Sequence, residues 1–374
     1  MSLSSLPIEL LDAICEPLAS NPATLATLAL TCTTFNACAT RQLYRTLSVS
    51  AYARTLPIVQ TLARRPDLAA LVHSFALTLD DADFAFRPFY VLLRSALGHM
   101  SHLVSLELLV DSNASWVLSS PSAQFQLSQL EQFTCSFPLD MHVSAFLGRT
   151  PALRSLQISE PALPSCQNLP DTHIPLLESY TGPASLLPLL ASRPVSTIYL
   201  SGDLRLEDIP QPSGAPNARE IELNLYPYPA PKNSDSDGGI KRREQVQVFS
   251  AITSETPAPL LEALALAYPG LVCLRVMTTS AFWDAPDMTL YTRIAATLAS
   301  LSALTVFELS GMHWEARPKA PTSPSGFGVG PEEKEWISPP VTPRAVEGNE
   351  GHEFTMENQS PELGLGDAFY DWLD

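Results

Sequence analysis

Positive charge and glycine are both in short supply in this chain. Of 374 residues only 22 are Lys or Arg, against 39 Asp or Glu, for a formal net charge of -17. Nucleic acids and anionic membranes are bound through Lys and Arg that meet phosphate, so neither is an expected partner. Glycine numbers 16 against 34 prolines, which predicts many punctuated elements rather than a flexible chain. No apolar run approaches the ~18 residues of a membrane span. The first twenty residues hold Glu9, Asp12 and Glu16 and no basic n-region, so they do not read as a signal peptide.

Cysteine is sparse and unpatterned. Cys15, Cys32, Cys38, Cys135, Cys166 and Cys273 form no Cys-x-x-Cys pair, and several lie inside apolar runs. They read as buried free thiols in a reducing compartment, which places the chain inside the cell, in cytoplasm or nucleus. Asn113-Ala114-Ser115 is a glycosylation sequon that would then stay idle.

Recognisable chemistry is lacking too. There is no Gly-x-Ser-x-Gly elbow and no Walker lysine loop. Gly326-Phe-Gly328-Val-Gly330 has no helix after it and reads as a linker. His99 and His102 stand three apart without a Cys or carboxylate at ligand spacing, and read as flanking a turn into a strand. Asp80, Asp81 and Asp83 lack a calcium-loop glycine and read as a solvated loop. The expectation is a chain without catalytic residues, cofactor or metal.

What is present begins with helical patterning over Leu6–Val49. Leu6, Leu10, Leu11, Ile14 and Leu18 form one stripe of a 3.6-period helix. Pro7 suits its first turn, and Glu9 and Asp12 lie near its positive end. Pro17 predicts a stop or kink near Glu16. Asn21-Pro22 opens a second helix with Leu25, Leu28 and Leu30, and a third carries Phe35, Ala39, Leu43 and Tyr44. Helices this short are not expected to enclose a core alone, since below ~40 residues a chain usually needs a metal, disulfides or a partner.

Leu-Pro-x-Glu-Leu-Leu, an Ile three residues on, and a Cys-containing helix ending in Leu-Tyr-Arg together resemble the F-box of fungal F-box proteins. The resemblance implies docking on a Skp-type adaptor of a cullin–RING ubiquitin ligase. It implies that Leu6, Pro7, Leu10, Leu11 and Ile14 face the adaptor, with Phe35 and Leu43 in support. Phe35 stands where many relatives have Trp. Taken without the resemblance, the same residues read as a helical cap on the domain that follows.

After Val49 a unit recurs, Pro-x-Leu-x-x-apolar-x-apolar. It is clearest at Pro151–Ile158 and Pro269–Val276, and looser at Pro175–Tyr180 and Pro216–Leu223. Leu103–Leu108, Leu130–Cys135, Val195–Leu200 and Leu304–Leu309 are copies without the proline, and Val72–Leu77 is the candidate first copy. The alternating last positions of each predict a short strand with one buried face. Helical patterning lies between them at Phe89–Leu97, Met141–Leu147, Ala184–Ala191, Glu244–Thr253 and Met288–Leu301. Leu261–Leu266 also fits the strand pattern, leaving the register from Pro257 to Tyr268 open. Strand plus helix every ~20–30 residues resembles the leucine-rich repeat, whose units stack into a solenoid because none buries its apolar face alone. The Asn usual after the strand is missing; Asp111 and Asp203 stand near that place. A single α/β domain with a parallel sheet is the alternative.

Tyr226–Arg243 interrupts the repeats and reads as a long exposed loop, with Lys241-Arg242-Arg243 a solvated patch rather than a nuclear address. Residues 317–374 read mostly as disordered tail, with Ser-Pro and Thr-Pro pairs from Ser323 to Ser360. Its last segment, Leu363–Asp374, spaces Leu365, Phe369, Trp372 and Leu373 helically, and reads as an exposed motif or as a cover for the last repeat.

The fold class expected is therefore α/β: a helical module at 1–49, a repeat-like domain at 50–316 with an exposed loop at 226–243, and the tail. In each Leu-x-x-Leu-x-Leu unit the residue between the last two apolar positions points away from the core. That row is Glu107, Thr134, Gln157, Tyr199, Glu222, Arg275 and Glu308, and it is the expected target-reading face, favouring a basic target. Tyr199, Glu222, Arg275 and Glu308 are its candidate binding residues. The function expected is the target-recognition subunit of a Skp–cullin–F-box ligase. The alternative is a repeat scaffold that binds partners outside any ligase.

Overall fold

The computed structural model describes residues 7–50, 52–79, 86–119, 127–162, 169–210, 245–279, 288–318 and 334–337. The chain starts with three short helices: α1 (Ile8–Cys15), α2 (Pro22–Ala29) and α3 (Thr33–Arg45). Three of these boundaries have a local cause. Pro7 is the N-cap residue of α1, and Pro17 turns the chain into a 3-10 turn at Glu16–Leu18, where α1 ends as expected. Asn21 caps α2, its Oδ1 accepting from the Thr24 N–H at 3.1 Å, with Pro22 in the first turn.

These helices do enclose a core, against expectation, but a small one. Leu11, Cys15, Leu25, Phe35, Cys38 and Ala39 form a buried cluster separate from the main core, edged by Leu18, Leu28 and Leu43. An ion pair between Arg41 on α3 and Asp12 on α1 crosses its rim.

At Arg45 the helix passes without a loop into strand β1 (Thr46–Val49), so the sheet begins before residue 50. Two unanticipated helices follow, α4 (Tyr52–Arg64) and α5 (Pro66–Ala69). Then come β2 (Ser74–Thr78), α6 (Arg87–Leu97), β3 (Ser105–Leu109), a 3-10 turn at Ser112–Leu118, β4 (Gln132–Pro138), α7 (Met141–Leu147) and β5 (Ser155–Glu160). After these are β6 (Ser179–Pro183), a 3-10 turn with α8 (Leu187–Leu190), β7 (Thr197–Asp203), β8 (Val248–Thr253), α9 (Pro257–Ala267), β9 (Cys273–Thr278), α10 (Met288–Ser300) and β10 (Val306–Leu309). β11 (Met312–Pro318) and β12 (Lys334–Ile337) complete an open mixed α/β structure.

All twelve strands form one sheet in chain order. β1 to β10 are parallel, and β11 and β12 add antiparallel. Each predicted copy in the described residues is a strand. The register is repeated in the backbone: the residue before a strand accepts two N–H groups from the next unit. His73 O takes Val104 N at 2.7 Å and Ser105 N at 3.0 Å, Glu131 O takes Arg154 N and Ser155 N, and Val272 O takes Thr305 N and Val306 N. The apolar positions therefore align across strands. One file runs from Phe75 through Leu106, Phe133 and Leu156 to Tyr180, then by Ile198, Phe249 and Leu274 to Phe307. Each such side chain, fully buried, contributes roughly 1.5–3 kcal/mol.

At β6 the repeat changes shape. Tyr180 is wholly buried and its hydroxyl donates to Pro183 O at 2.9 Å, passing over Gly182, where other units carry a second apolar side chain. A Cβ at Gly182 would stand 2.6 Å from Ile158 O and 2.7 Å from the Tyr180 hydroxyl. Tyr-x-Gly thus fills the space of Leu-x-Leu.

Hydroxyls and carboxylates stand where the repeat pattern's Asn is missing. Ser136 Oγ accepts from Val110 N at 3.0 Å, and Thr253 Oγ1 donates to Leu204 O at 2.7 Å. Asp203 accepts from Ser254 N at 2.6 Å and Ser254 Oγ at 2.7 Å, tying β7 to the end of β8; Asp111 instead caps the turn after β3.

Several expectations are corrected. The stretch expected as helix at Glu244–Thr253 is strand β8 from Val248. Val246, Phe249, Ala251 and Thr253 are buried, and Ser250 and Ile252, which alternate with them, are half-buried, the same spacing as the other copies. The register left open from Pro257 to Tyr268 resolves as helix at Pro257–Ala267, with Pro257 at its start. The tail is not wholly without structure, since β11 reaches Pro318 and Lys334–Ile337 pairs with it. Cys15, Cys38 and Cys135 are buried thiols, but Cys32 is exposed at the N-cap of α3 and Cys273 is half-buried. Asp80, Asp81, Asp83, Cys166, the loop 226–243 and Leu363–Asp374 lie outside the described residues. Among the described residues no helix is long and apolar enough to cross a membrane.

Candidate functional site

Two surfaces are built by this fold. The first is α1. Its apolar residues divide between two directions. Leu11 and Cys15 are fully buried against α2 and α3. Leu10 and Ile14, one turn apart, remain 52% and 44% exposed, with Ile8 at 44%. Leu11 is therefore taken from the predicted adaptor-facing set, because the module's own core consumes it. Pro7 is exposed beside Leu10; Leu6 lies outside the described residues. Phe35 is buried in the module's cluster and Leu43 packs against it, partly buried. Leu30, at the end of α2, is 85% exposed. Ile8, Leu10, Ile14 and Leu30 are thus the large aliphatic side chains that the described part of the module leaves in water.

The Cys15 and Cys38 thiols beneath α1 are both pushed up, by burial first and then by the neighbouring Asp12 carboxylate. They are poor nucleophiles and serve as small apolar residues.

The second surface is the solvent face of the sheet. The predicted outward row exists in register: Glu107 pairs with Thr134, Thr134 with Gln157, and Arg275 with Glu308. Each is half-buried between its neighbours. The row also contains Thr181 and Ser250, which the sequence reading missed. Thr181 follows Tyr180 in the copy that ends in glycine, and Ser250 lies in the strand read as helix. Glu222 lies outside the described residues. Because β7 pairs directly with β8, the row passes from Tyr199 to Ser250 with no strand between them. Arg275 Nε lies 3.6 Å from Glu308, so two of the candidate binding residues are partners of each other.

The remaining candidates are structural. His102 Nδ1 meets Ala70 O at 3.0 Å and its ring stacks on His73 at 6.3 Å, in the turns that lead into β2 and β3. Among the described residues no group of His, Cys, Asp and Glu could hold a metal. Arg94 and Arg149 donate to Ser119 O and Leu118 O, both at 2.6 Å, closing the 3-10 turn after β3. The sequon residue Ser115 is buried and bonded to Asp140. Burial pushes the Cys135 thiol up to about 12, which makes it inert. In comparisons with known proteins, no family model matches the chain and no curated protein matches its sequence.

Proposed function

We propose that this chain is the target-recognition subunit of a Skp–cullin–F-box type ubiquitin ligase. Its N-terminal module docks on a Skp-type adaptor, and its repeat-like sheet, read as a leucine-rich-repeat-like solenoid, presents a protein target. One observation carries the reading: α1 sends Leu11 and Cys15 into the module's core and leaves Ile8, Leu10 and Ile14 in water. Covering each exposed aliphatic is worth up to ~1.5–3 kcal/mol, and a carboxylate placed there would be desolvated without a partner. The strand order and the aligned outward row support the second half of the reading. Ubiquitin chemistry belongs to other subunits in this scheme.

The test is co-purification with a Skp-type adaptor. The wild-type chain should retain it, and Leu10→Asp with Ile14→Asp should abolish retention while leaving the circular dichroism of the sheet unchanged. Retention of the adaptor at wild-type level by the double variant would overturn the assignment. Failure of the wild-type chain to bind any such adaptor would leave the scaffold reading in its place.

A further inference from the structure

One turn collects cations that no described carboxylate neutralises. The 3-10 turn at Ser112–Leu118 packs on both α6 and α7 and ends in Ser119. Arg94, in the last turn of α6, donates from Nε to Ser119 O at 2.6 Å. Arg149, just past α7, donates from Nη2 to Leu118 O at 2.6 Å. His142, on α7, has Nδ1 2.9 Å from Ser119 Oγ. Three nitrogen-bearing side chains from two helices thus meet two consecutive residues.

The charge of the two arginines is unmet. Arg41, Arg65, Arg154 and Arg293 each sit on a carboxylate, but neither Arg94 nor Arg149 forms an ion pair among the described residues. In a chain of net charge -17, scarcity of acid is not the reason. Both Nη groups of Arg94 and one of Arg149 also have no acceptor among the described residues. Asp140, two residues from His142, is already taken. Its Oδ1 accepts from the N–H groups of His142 and Val143, and its Oδ2 from the Ser115 hydroxyl. Burial pushes the Arg149 guanidinium below its ordinary range, and no described counter-ion offsets that desolvation.

We propose that Ser119 is a phosphorylation site and that Arg94, Arg149 and His142 receive its phosphate. The Ser119 hydroxyl already stands at the meeting point, so a phosphoryl group carried on it arrives tethered. Ser119 is half-buried, its backbone is extended (φ -72°, ψ 111°), and His142 is the one hydrogen-bond partner of its hydroxyl among the described residues. A kinase supplies the γ-phosphoryl group of a nucleoside triphosphate. The Oγ–P bond forms, the bond from phosphorus to the bridging oxygen breaks, the nucleoside diphosphate leaves, and the Ser119 proton passes to the kinase's base. The product carries about -1.5 to -2 charges and three acceptor oxygens, which the open Nη groups and His142 Nδ1 can meet as donors. Such charge-assisted bonds are stronger than those the arginines now make to carbonyls, so the modified turn clips α6 to α7. The adaptor and target readings do not enter this inference.

The test uses the full chain with phosphoserine genetically encoded at position 119. Its melting temperature should exceed that of the unmodified chain by about 2 °C or more at low salt, and the gain should shrink at high salt. The phosphate, followed by phosphorus NMR, should titrate below its ordinary pKa of about 6. With Arg94→Gln and Arg149→Gln both effects should vanish, each compared with the unmodified chain carrying the same substitutions. Arg94→Gln alone should remove part of each effect if the double variant folds poorly. A phosphoserine that lowers the melting temperature, or that titrates at or above about 6, overturns the proposal. A gain that the arginine variants leave intact overturns it too. Incubation of the unmodified chain with ATP and a eukaryotic cell extract should place phosphate on Ser119, mapped by mass spectrometry. Phosphate on Ser120, which lies outside the described residues, or elsewhere, with none on Ser119, contradicts the assignment.

Discussion

The N-terminal module and the sheet solve the same burial problem with different completeness. In the sheet, each strand places its apolar side chains against those of the strands before and after, and the files from Phe75 to Phe307 are closed along their length. In the module, one small cluster of buried residues serves three helices, and α1 keeps three aliphatic side chains in water. The two meet at consecutive residues: Leu43 turns to the module's cluster and Tyr44 to the main core. The difference teaches that a stacked repeat can be self-sufficient, whereas a module this small covers only part of its aliphatic surface.

The largest way to break that comparison is in the sheet. Phe249→Ala removes a fully buried ring from within the file and should cost about 3–5 kcal/mol, read as a lower urea midpoint for the whole sheet. Within α1 the comparison sharpens to one residue. Leu11→Ala should destabilise the module by about 2–5 kcal/mol, while Leu10→Ala should leave the isolated chain within about 0.5 kcal/mol of wild type. Equal effects of the two, measured by helix melting of the module, would contradict the division of the helix. Gly182→Ala should destabilise by about 1–3 kcal/mol, because its Cβ meets the Ile158 carbonyl and the Tyr180 hydroxyl. Tyr180→Phe with Gly182→Ala should recover part of that loss, since the hydroxyl is one of the obstacles.

The smallest effect concerns Asp203. Its carboxyl is held low by the Ser254 hydroxyl and N–H, so its contribution to stability is present above the ordinary aspartate pKa of ~3.9 and is lost as pH falls through the lower folded value. Asp203→Asn should therefore lower the melting temperature slightly at pH 7 and flatten its fall below about pH 4.

The strands were legible because their signal is doubled: the spacing of Leu153, Leu156 and Ile158 is both a buried alternation and a repeat. β8 carries the same spacing in Val246, Phe249 and Ala251, but mixed with Gln and Ser it also fits a helical reading. α9 was ambiguous for the opposite reason. Pro257–Ala267 is apolar nearly all round, so its period is concealed, and only Pro257 at its start separates helix from strand. The outward row followed directly from alternation, and so Glu107, Thr134, Gln157, Arg275 and Glu308 were found. The division of Leu10 from Leu11 was not legible. Both lie on one stripe, and which is buried depends on where α2 and α3 settle, a tertiary fact with no local signature.

The central claim is that α1 is finished by a partner. Amide hydrogen exchange on the full chain, with and without a Skp-type adaptor, tests it most directly. Alone, the amides of Leu11–Cys15 should exchange much faster than those of Leu106–Leu108, and adaptor should slow them at least tenfold while the β3 to β5 amides stay as they were. Slow exchange of α1 in the chain alone, or exchange that does not change when adaptor is added, would contradict the account.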